Sequence, residues 1–135
     1  MRYLIDTNIC IYIMNNHPPE IIGKCREIGV GNISISSITT SELQYGANKS
    51  RQVRKNLKRL EEFLKPFAII PYDERASLAY GLIRADLEMK GNIIGPLDML
   101  IAAHALSQDM VLATNNMKEF KRVELLKVEN WAAQH

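Results

Sequence analysis

The chain has 135 residues, of which 47% are hydrophobic and 24% are charged, with a formal net charge of +2. These values are typical of one globular domain with a real core. The uncharged stretch Thr7 to Pro19 is too short and too polar to span a membrane, and the three apolar residues after Arg2 cannot form the core of a signal peptide. We therefore expect a cytoplasmic protein.

Short apolar runs alternate with helical patterning along the chain. Strands are predicted near 2–5, 33–36, 67–70, 111–114 and 125–128. Helices are predicted near 8–15, 19–28, 39–48, 51–65, 73–90 and 96–108, with a helical turn near 117–120. This alternation predicts an α/β protein, a single domain over residues 1–135, with three layers (α/β/α) and a central, mostly parallel sheet.

Acidic residues stand at corresponding places in this pattern. Asp6 follows the apolar run 3–5, Glu42 comes after the run 33–36, and Asp98 opens the apolar stretch 99–103. A fourth polar cluster, Thr114-Asn115-Asn116 with Glu119, follows the run 111–113. Because the carboxyl ends of parallel strands lie along one edge of the sheet, these side chains are expected to meet there. A hard divalent cation is the simplest means of holding mutually repelling carboxylates together.

Each acid also has a purely structural interpretation. The segment Thr39–Glu42 fits a capping box, and Gly95–Asp98 fits a helix start with proline at its first position. Asp6 could cap a helix that begins near Thr7 or Asn8. Capping and metal binding are compatible, so both interpretations stay open.

The cysteines and histidines are not expected to take part in catalysis. Cys10 and Cys25 lack the spacing of a zinc site and are expected to be buried thiols. His104 lies nearly on the opposite helix face from Asp98 and is expected to be structural. Neither His17 nor His135 suggests a catalytic role.

A basic run lies between Lys49 and Arg59, with no acid in it. It is a candidate phosphate-contacting face, or equally a solvated helix surface or a docking site for an acidic partner segment. The nucleic-acid-binding candidates are Lys49, Arg51, Arg54 and Lys55, and the run also includes Lys58 and Arg59.

Four strings in chain order resemble the acidic motifs of the PIN domain and, more narrowly, of the VapC toxins of bacterial VapBC toxin–antitoxin pairs. They are Tyr3–Asn8, Ser36–Gly46, Gly95–Ala105 and Ala113–Phe120. The resemblance extends over the whole chain and implies a PIN-like fold. It also implies an endoribonuclease that hydrolyses phosphodiester bonds in RNA and depends on Mg²⁺ or Mn²⁺.

The resemblance assigns roles to particular residues. Asp6, Glu42 and Asp98 correspond to the acidic triad that binds the metal ion. Glu119 is expected to take part with them in a supporting role, as is Asn116, where many relatives have aspartate, and either of the two could hold the ion through water. The hydroxyls of Thr7, Ser37 and Thr114 are expected to orient the carboxylates or that water. A metal ion acting as a Lewis acid and lowering the pKa of water would make a nucleophilic side chain unnecessary.

The same resemblance implies partners. These are a VapB-like antitoxin protein, an RNA substrate (plausibly initiator tRNA, cut in its anticodon loop) and a second copy of the chain in a homodimer. Operator DNA is expected to bind only through the antitoxin. The apolar segment Ile9–Met14 beside the acids could receive an antitoxin helix, although its isoleucines could equally pack in the core.

Three other protein classes share part of this pattern. A phosphotransferase of the haloacid-dehalogenase type needs a second aspartate two residues after the first, and Asn8 stands there. A response-regulator receiver needs an acidic pair and a lysine that do not occur in the required places. The non-enzymatic rival is a degenerate PIN domain that binds RNA or a partner without cutting, and the intact acids Asp6, Glu42 and Asp98 argue against it.

Overall fold

The computed structural model describes residues 1–132, in which a five-stranded sheet lies between two layers of helices. The strands are β1 (Tyr3–Ile5), β2 (Ile33–Ser36), β3 (Ala68–Ile70), β4 (Val111–Thr114) and β5 (Val128–Asn130). The helices are α1 (Thr7–Met14), α2 (Pro19–Ile28), α3 (Ser37–Asn48), α4 (Val53–Leu64), α5 (Glu74–Met89), α6 (Pro96–Ser107) and α7 (Met117–Phe120). A short 3-10 helix, Val30–Asn32, precedes β2 and was not predicted.

The sheet has the strand order β3-β2-β1-β4-β5, and each neighbouring pair is parallel. Tyr3 in the central strand pairs with Ile33 on one side and Val111 on the other. The chain thus adds β2 and β3 on one side of β1, and then adds β4 and β5 on the other side. The order reverses between β1 and β4, which is where ligands bind in such sheets. The predicted three-layer α/β fold is confirmed.

The two faces of the sheet carry separate cores because successive strand residues point to opposite sides. Leu4 packs with Leu112 and with side chains of α5, α6 and α7. Its neighbour Ile5 packs with Ile33 and Ile35 and with side chains of α1, α2, α3 and α4. Each such fully buried aliphatic side chain contributes about 1.5–3 kcal/mol. The carboxyl edge of the sheet is therefore anchored from both faces.

The start of α3 corrects one expectation. The helix begins at Ser37, because the hydroxyl of Ser36 accepts a hydrogen bond from the Ile38 amide at 3.0 Å and caps it. The predicted capping box at Thr39–Glu42 is wrong, since Glu42 lies in the second helical turn. This carboxylate is consequently not needed to satisfy the helix end.

The last strand was also misplaced. It was expected near 125–128 but occupies Val128–Asn130. Leu125 has a φ of 68°, in the left-handed region that a strand residue does not adopt, and its side chain is 87% exposed. The apolar pair 125–126 thus belongs to a turn before the strand.

The two cysteines lie in the core of the protein. Cys10 and Cys25 are free and buried, as predicted. Burial raises the pKa of the Cys10 thiol well above its usual value. Over residues 1–132 no helix combines the length and the apolar character needed to cross a membrane. His135 lies outside the described residues.

Candidate active site

Four carboxylates approach one another at the carboxyl edge of the sheet. Asp6 follows β1 directly, Asp98 is in the first turn of α6, Glu42 is on α3, and Glu119 is on α7. Their proximity is evident in the pKa of Asp98, which the charges of the other three each raise. The strand-end pattern thus predicted correctly which acids share one region of space.

Asp6 is the most enclosed of these acids, with only 4% of its surface exposed. Its Oδ1 accepts a hydrogen bond from the Ile9 amide at 2.9 Å, so it caps α1 as the structural interpretation expected. Its Oδ2 accepts a short hydrogen bond from the hydroxyl of Thr114 at the end of β4. Burial nevertheless raises the pKa of Asp6, outweighing these two bonds, which lower it. Capping and a place in the acidic cluster coexist in this residue.

Asp98 is half-buried, and its pKa is raised to about 7. Burial is the main cause, followed by a side-chain hydrogen bond to Glu119 and then by the charges of Glu119, Asp6 and Glu42. A carboxyl group with this pKa is about half protonated at neutral pH. Glu119, Asp6 and Glu42 are thus close enough for their charges to disfavour ionisation of Asp98.

Polar side chains hold the remaining acids in place. The Thr7 hydroxyl donates to Glu42 Oε1 at 2.6 Å, and the Asn116 amide donates to Glu119 Oε2 at 2.9 Å. The backbone amide of Asn116 also donates to Thr114 Oγ1 at 2.8 Å, so that Thr114 relays this contact to Asp6. Three of the four expected supporting residues therefore contact an acid directly.

Ser37 is the exception among the expected supporting residues. Its hydroxyl accepts a hydrogen bond from the Tyr72 amide at 2.9 Å. That contact ties the start of α3 to the connection between β3 and α5. The neighbouring Ser36 is buried, and its hydroxyl lies 2.7 Å from Nδ1 of His104.

His104 is fully buried, and burial lowers its pKa. Its ring meets the Tyr72 ring edge-on, with the centroids 5.5 Å apart. Through Ser36 and Tyr72 it connects α6 to the beginning of α3 and to the segment after β3. These contacts agree with the structural role expected of this histidine.

The acidic cluster is a donor set suited to a hard divalent cation, since each group offers only carboxylate oxygens. No three aspartate, glutamate, histidine or cysteine side chains in residues 1–132 are arranged as a complete set of metal ligands. Glu42 uses one carboxylate oxygen in its bond to Thr7 and retains the other. The charges of Glu119, Asp6 and Glu42 each disfavour ionisation of Asp98, and on this ground the residues fit a cation that would neutralise them.

The basic run forms a surface that begins at the end of α3. Lys49, Arg51, Arg54 and Lys55 are exposed, and within the described residues none of the four forms an ion pair with an acid. Arg59 differs, because it donates hydrogen bonds to Met14 O at 2.6 Å and to Asn15 Oδ1 at 2.8 Å. Its guanidinium group ties α4 to the end of α1.

Two grooves adjoin Glu42. The first has a volume of about 240 Å³ and lies between α1, α3 and α4, with Ile11, Leu43 and Leu60 among its lining residues. The second, which we call the Tyr45 groove, has a volume of about 630 Å³. Its lining residues are Thr7, Asn8, Ile11, Ile38, Ser41, Glu42, Tyr45, Gly46, Lys49 and Leu97.

Tyr45 was not singled out from the sequence. The available signal was its spacing, since residues three apart in a helix share a face and Glu42 was already a candidate. The segment Ile9–Met14 is divided between the two expected roles. Ile9 and Cys10 are buried in the core, whereas Ile11 is partly exposed and lines both grooves.

Comparison with known proteins identifies the family. The chain matches the PIN domain family model over residues 3–126. It is 45% identical over 132 residues to Ribonuclease VapC2 of Rickettsia felis, covering 97% of this chain and 98% of that protein. It is 40% identical over 131 residues to the tRNA(fMet)-specific endonuclease VapC of Salmonella typhimurium, covering 97% and 98% of the two chains.

A solved structure supports the same assignment. In the crystal structure of VapBC2 from Rickettsia felis bound to a promoter DNA fragment, the matching chain is 44% identical with a TM-score of 0.91. The match covers 97% of this chain and 99% of that one. The phosphotransferase and response-regulator alternatives are therefore excluded, and the chain belongs to the PIN-domain family, within its VapC group.

Proposed function

We propose that the chain is the toxic component of a type II toxin–antitoxin pair and acts as a metal-dependent endoribonuclease. The observation that carries this proposal is the convergence of Asp6, Glu42, Asp98 and Glu119 at the switch point of the sheet, with the pKa of Asp98 raised to about 7. The names of the VapC relatives, ribonuclease and endonuclease, support the same reaction class.

In this proposal Asp6, Glu42 and Asp98 bind Mg²⁺ or Mn²⁺, and Glu119 and Asn116 support them. When bound, the ion would supply positive charge to the phosphoryl oxygens and would make an attacking water more acidic. The protein contributes the position of the ligands. Asp6 is fixed from two sides, by the Ile9 amide and the Thr114 hydroxyl, before any ion arrives. Asp98 must give up the proton that its raised pKa retains, so ion binding is expected to release protons.

The proposed substrate is a structured RNA with an exposed loop, and specifically the anticodon loop of initiator tRNA. The relative from Salmonella typhimurium is named for tRNA(fMet). Loops present unstacked bases, which proteins recognise by stacking and by phosphate contacts. The exposed basic surface at Lys49, Arg51, Arg54 and Lys55 is suited to those phosphates.

The proposed partners follow from the VapBC complex of Rickettsia felis. We expect a VapB-like antitoxin to silence the chain in the cytoplasm by covering the partly exposed apolar surface at Ile11. A basic side chain of the antitoxin inserted among the acids would compete with the metal ion. The active chain is proposed to form a homodimer, with operator DNA bound through the antitoxin.

The test is RNA cleavage by the purified chain with added Mg²⁺ or Mn²⁺, with and without a chelator. Sequencing of the cleaved ends identifies the target. Asp98→Asn should lower the rate by orders of magnitude while the fold is retained. Asp109→Asn is the matched control, because it makes the same chemical change at an exposed acid that pairs with Lys127, away from the acidic cluster. Cleavage that survives both chelation and Asp98→Asn would refute the proposal.

The alternative function is a PIN domain that binds RNA or a protein partner but cuts weakly or not at all. This alternative predicts that the wild-type protein binds RNA in a filter-binding assay but produces no RNA fragments at any metal concentration. Fragments that map to ribosomal or messenger RNA would instead leave the ribonuclease assignment intact and refute the initiator tRNA target.

A further inference from the structure

Tyr45 lies on the same face of α3 as Glu42 and Lys49. Residues separated by three or four positions are neighbours on a helix surface, so Glu42, Tyr45 and Lys49 form a row. The helix rises about 1.5 Å per residue, which places Tyr45 about 4.5 Å along the axis from Glu42. The Tyr45 groove therefore runs from the acidic cluster toward the basic surface.

The Tyr45 side chain is largely exposed to solvent. It is 65% exposed, and the Lys49 ammonium lies 4.9 Å from its centroid. The hydroxyls of the other tyrosines each have a hydrogen-bond partner, namely Glu129 for Tyr3, Asn115 for Tyr12, Ala76 for Tyr72 and Arg84 for Tyr80. Within residues 1–132 the Tyr45 hydroxyl makes no such bond. A largely exposed aromatic ring of this kind is available to a ligand.

The walls of the groove indicate which part of a nucleotide belongs there. Ile11 and Leu97 are partly exposed and line it together with Ile38. Apolar and aromatic surface suits the flat face of a base, whereas a phosphate beside Glu42 would be repelled unless a cation intervened. Lys49 supplies positive charge at the other end. The groove is thus negatively charged near Glu42 and positively charged near Lys49, and the ring of Tyr45 lies between them.

We propose that Tyr45 stacks against an unpaired base of the RNA, next to the phosphate that is cut, with Lys49 contacting the backbone beside that base. The proposal rests on the ribonuclease function and assigns a substrate-binding role to a residue outside the acidic cluster. Stacking tolerates different bases because every base has an aromatic face. Tyr45 would therefore contribute affinity for single-stranded RNA and little base selectivity.

The experiment is a double-mutant cycle between protein and RNA. The probe is a fluorescein-labelled hairpin RNA with a single-stranded loop, made also as a series in which one loop nucleotide at a time is abasic. Affinity is measured by anisotropy in the Asp98→Asn background, with Mg²⁺ present, and cleavage is measured in the active protein. The variants are Tyr45→Leu, which keeps the bulk, and Tyr45→Phe, which keeps the ring.

Tyr45→Leu should weaken binding of the intact hairpin by about 5- to 150-fold, the range found when stacking aromatics are removed. Tyr45→Phe should stay within about twofold, because the ring provides the stacking surface. At one loop position, removing the base should weaken wild-type binding but have little further effect on Tyr45→Leu. In the active protein Tyr45→Leu should raise KM more than it lowers kcat.

Three outcomes would overturn the proposal. Equal affinity of Tyr45→Leu and wild type for every hairpin, with wild-type cleavage intact, would remove this binding role and leave the ribonuclease function standing. Unchanged RNA affinity with loss of antitoxin binding or of the dimer would assign Tyr45 to a protein interface. A wild type that neither binds nor cuts any hairpin would refute the ribonuclease function, and the stacking role with it. Circular dichroism and thermal melting verify that the variants are folded.

Discussion

The hydroxyl of Thr114 donates a hydrogen bond to the carboxylate of Asp6, which lies 108 positions away in the sequence. The contact is possible because β1 and β4 are adjacent parallel strands, so their carboxyl ends lie side by side. It joins the first acid of the cluster to the fourth motif. Asp6 thus depends for its orientation on the opposite end of the chain.

Thr114→Val should lower cleavage activity by about 10- to 100-fold, the usual effect of removing a group that orients a metal ligand. The substitution keeps the shape and removes the hydroxyl that donates to Asp6. Thr114→Ser, which retains the donor, is the control and should keep most of the activity. The measurement is kcat/KM as a function of Mg²⁺ concentration. An active Thr114→Val with an unchanged metal requirement would contradict this account.

Asp98→Asn should stabilise the metal-free protein above about pH 7. The fold raises the pKa of Asp98 from 3.8 to about 7, so between these values the folded state holds a proton that the unfolded state has lost. The associated stability is present at low pH and disappears as the pH rises through about 7. The substitution removes this decline. Above about pH 7 the free energy of unfolding of the variant should therefore exceed that of the wild type by about 1 kcal/mol, a value that allows for solvent screening of a half-buried group.

Urea unfolding in the presence of a chelator, from about pH 3 to pH 8, measures this effect. The two curves should converge toward about pH 3, where the carboxyl is mostly protonated in both states. Added Mg²⁺ should reverse the ranking, because the ion stabilises the wild type through the ligand that the variant lacks. A variant that is less stable than the wild type at every pH without metal would contradict the prediction.

His104 should make the protein less stable in acid. Burial lowers its pKa, with the charge of Asp73 opposing the shift, so the unfolded state takes up a proton before the folded state does. Stability is therefore full above about pH 6.5, the ordinary pKa of histidine, and falls as the pH drops below it. His104→Gln should flatten this dependence. The comparison requires the Asp98→Asn background, since Asp98 titrates in the same range with the opposite sign.

The basic surface should contribute to RNA affinity by neutralising phosphates. Replacing Arg51, Arg54 and Lys55 together by glutamine should weaken binding at low salt. It should also reduce the slope of log affinity against log salt by about 0.7 for each phosphate that is no longer neutralised. Arg59→Gln is the matched control within the same run. Because Arg59 bonds to Met14 and Asn15, its replacement should lower the melting temperature and leave the salt slope unchanged.

The catalytic candidates could be predicted from local patterns because strand ends and helix starts are encoded locally. An acid directly after a short apolar run, such as Asp6, or at the start of a predicted helix, such as Asp98, predicts a place at the sheet edge, and both are found there. The local pattern that placed Glu42 in a capping box was wrong. The Ser36 hydroxyl accepts the hydrogen bond from the Ile38 amide and caps α3. It also misplaced the last strand, because an apolar pair can lie in a turn as well as in a strand.

The order of apolar runs, acids and caps in the sequence by itself determined a parallel α/β protein with its acids on one edge. Only the tertiary structure decided which donor each acid contacts, that Ser37 bonds to Tyr72, and that Tyr45 stays exposed beside Lys49. These properties depend on residues brought together from distant parts of the chain. The pKa of Asp98 likewise depends on burial and on three neighbouring charges, which exist only when the strands and helices are packed.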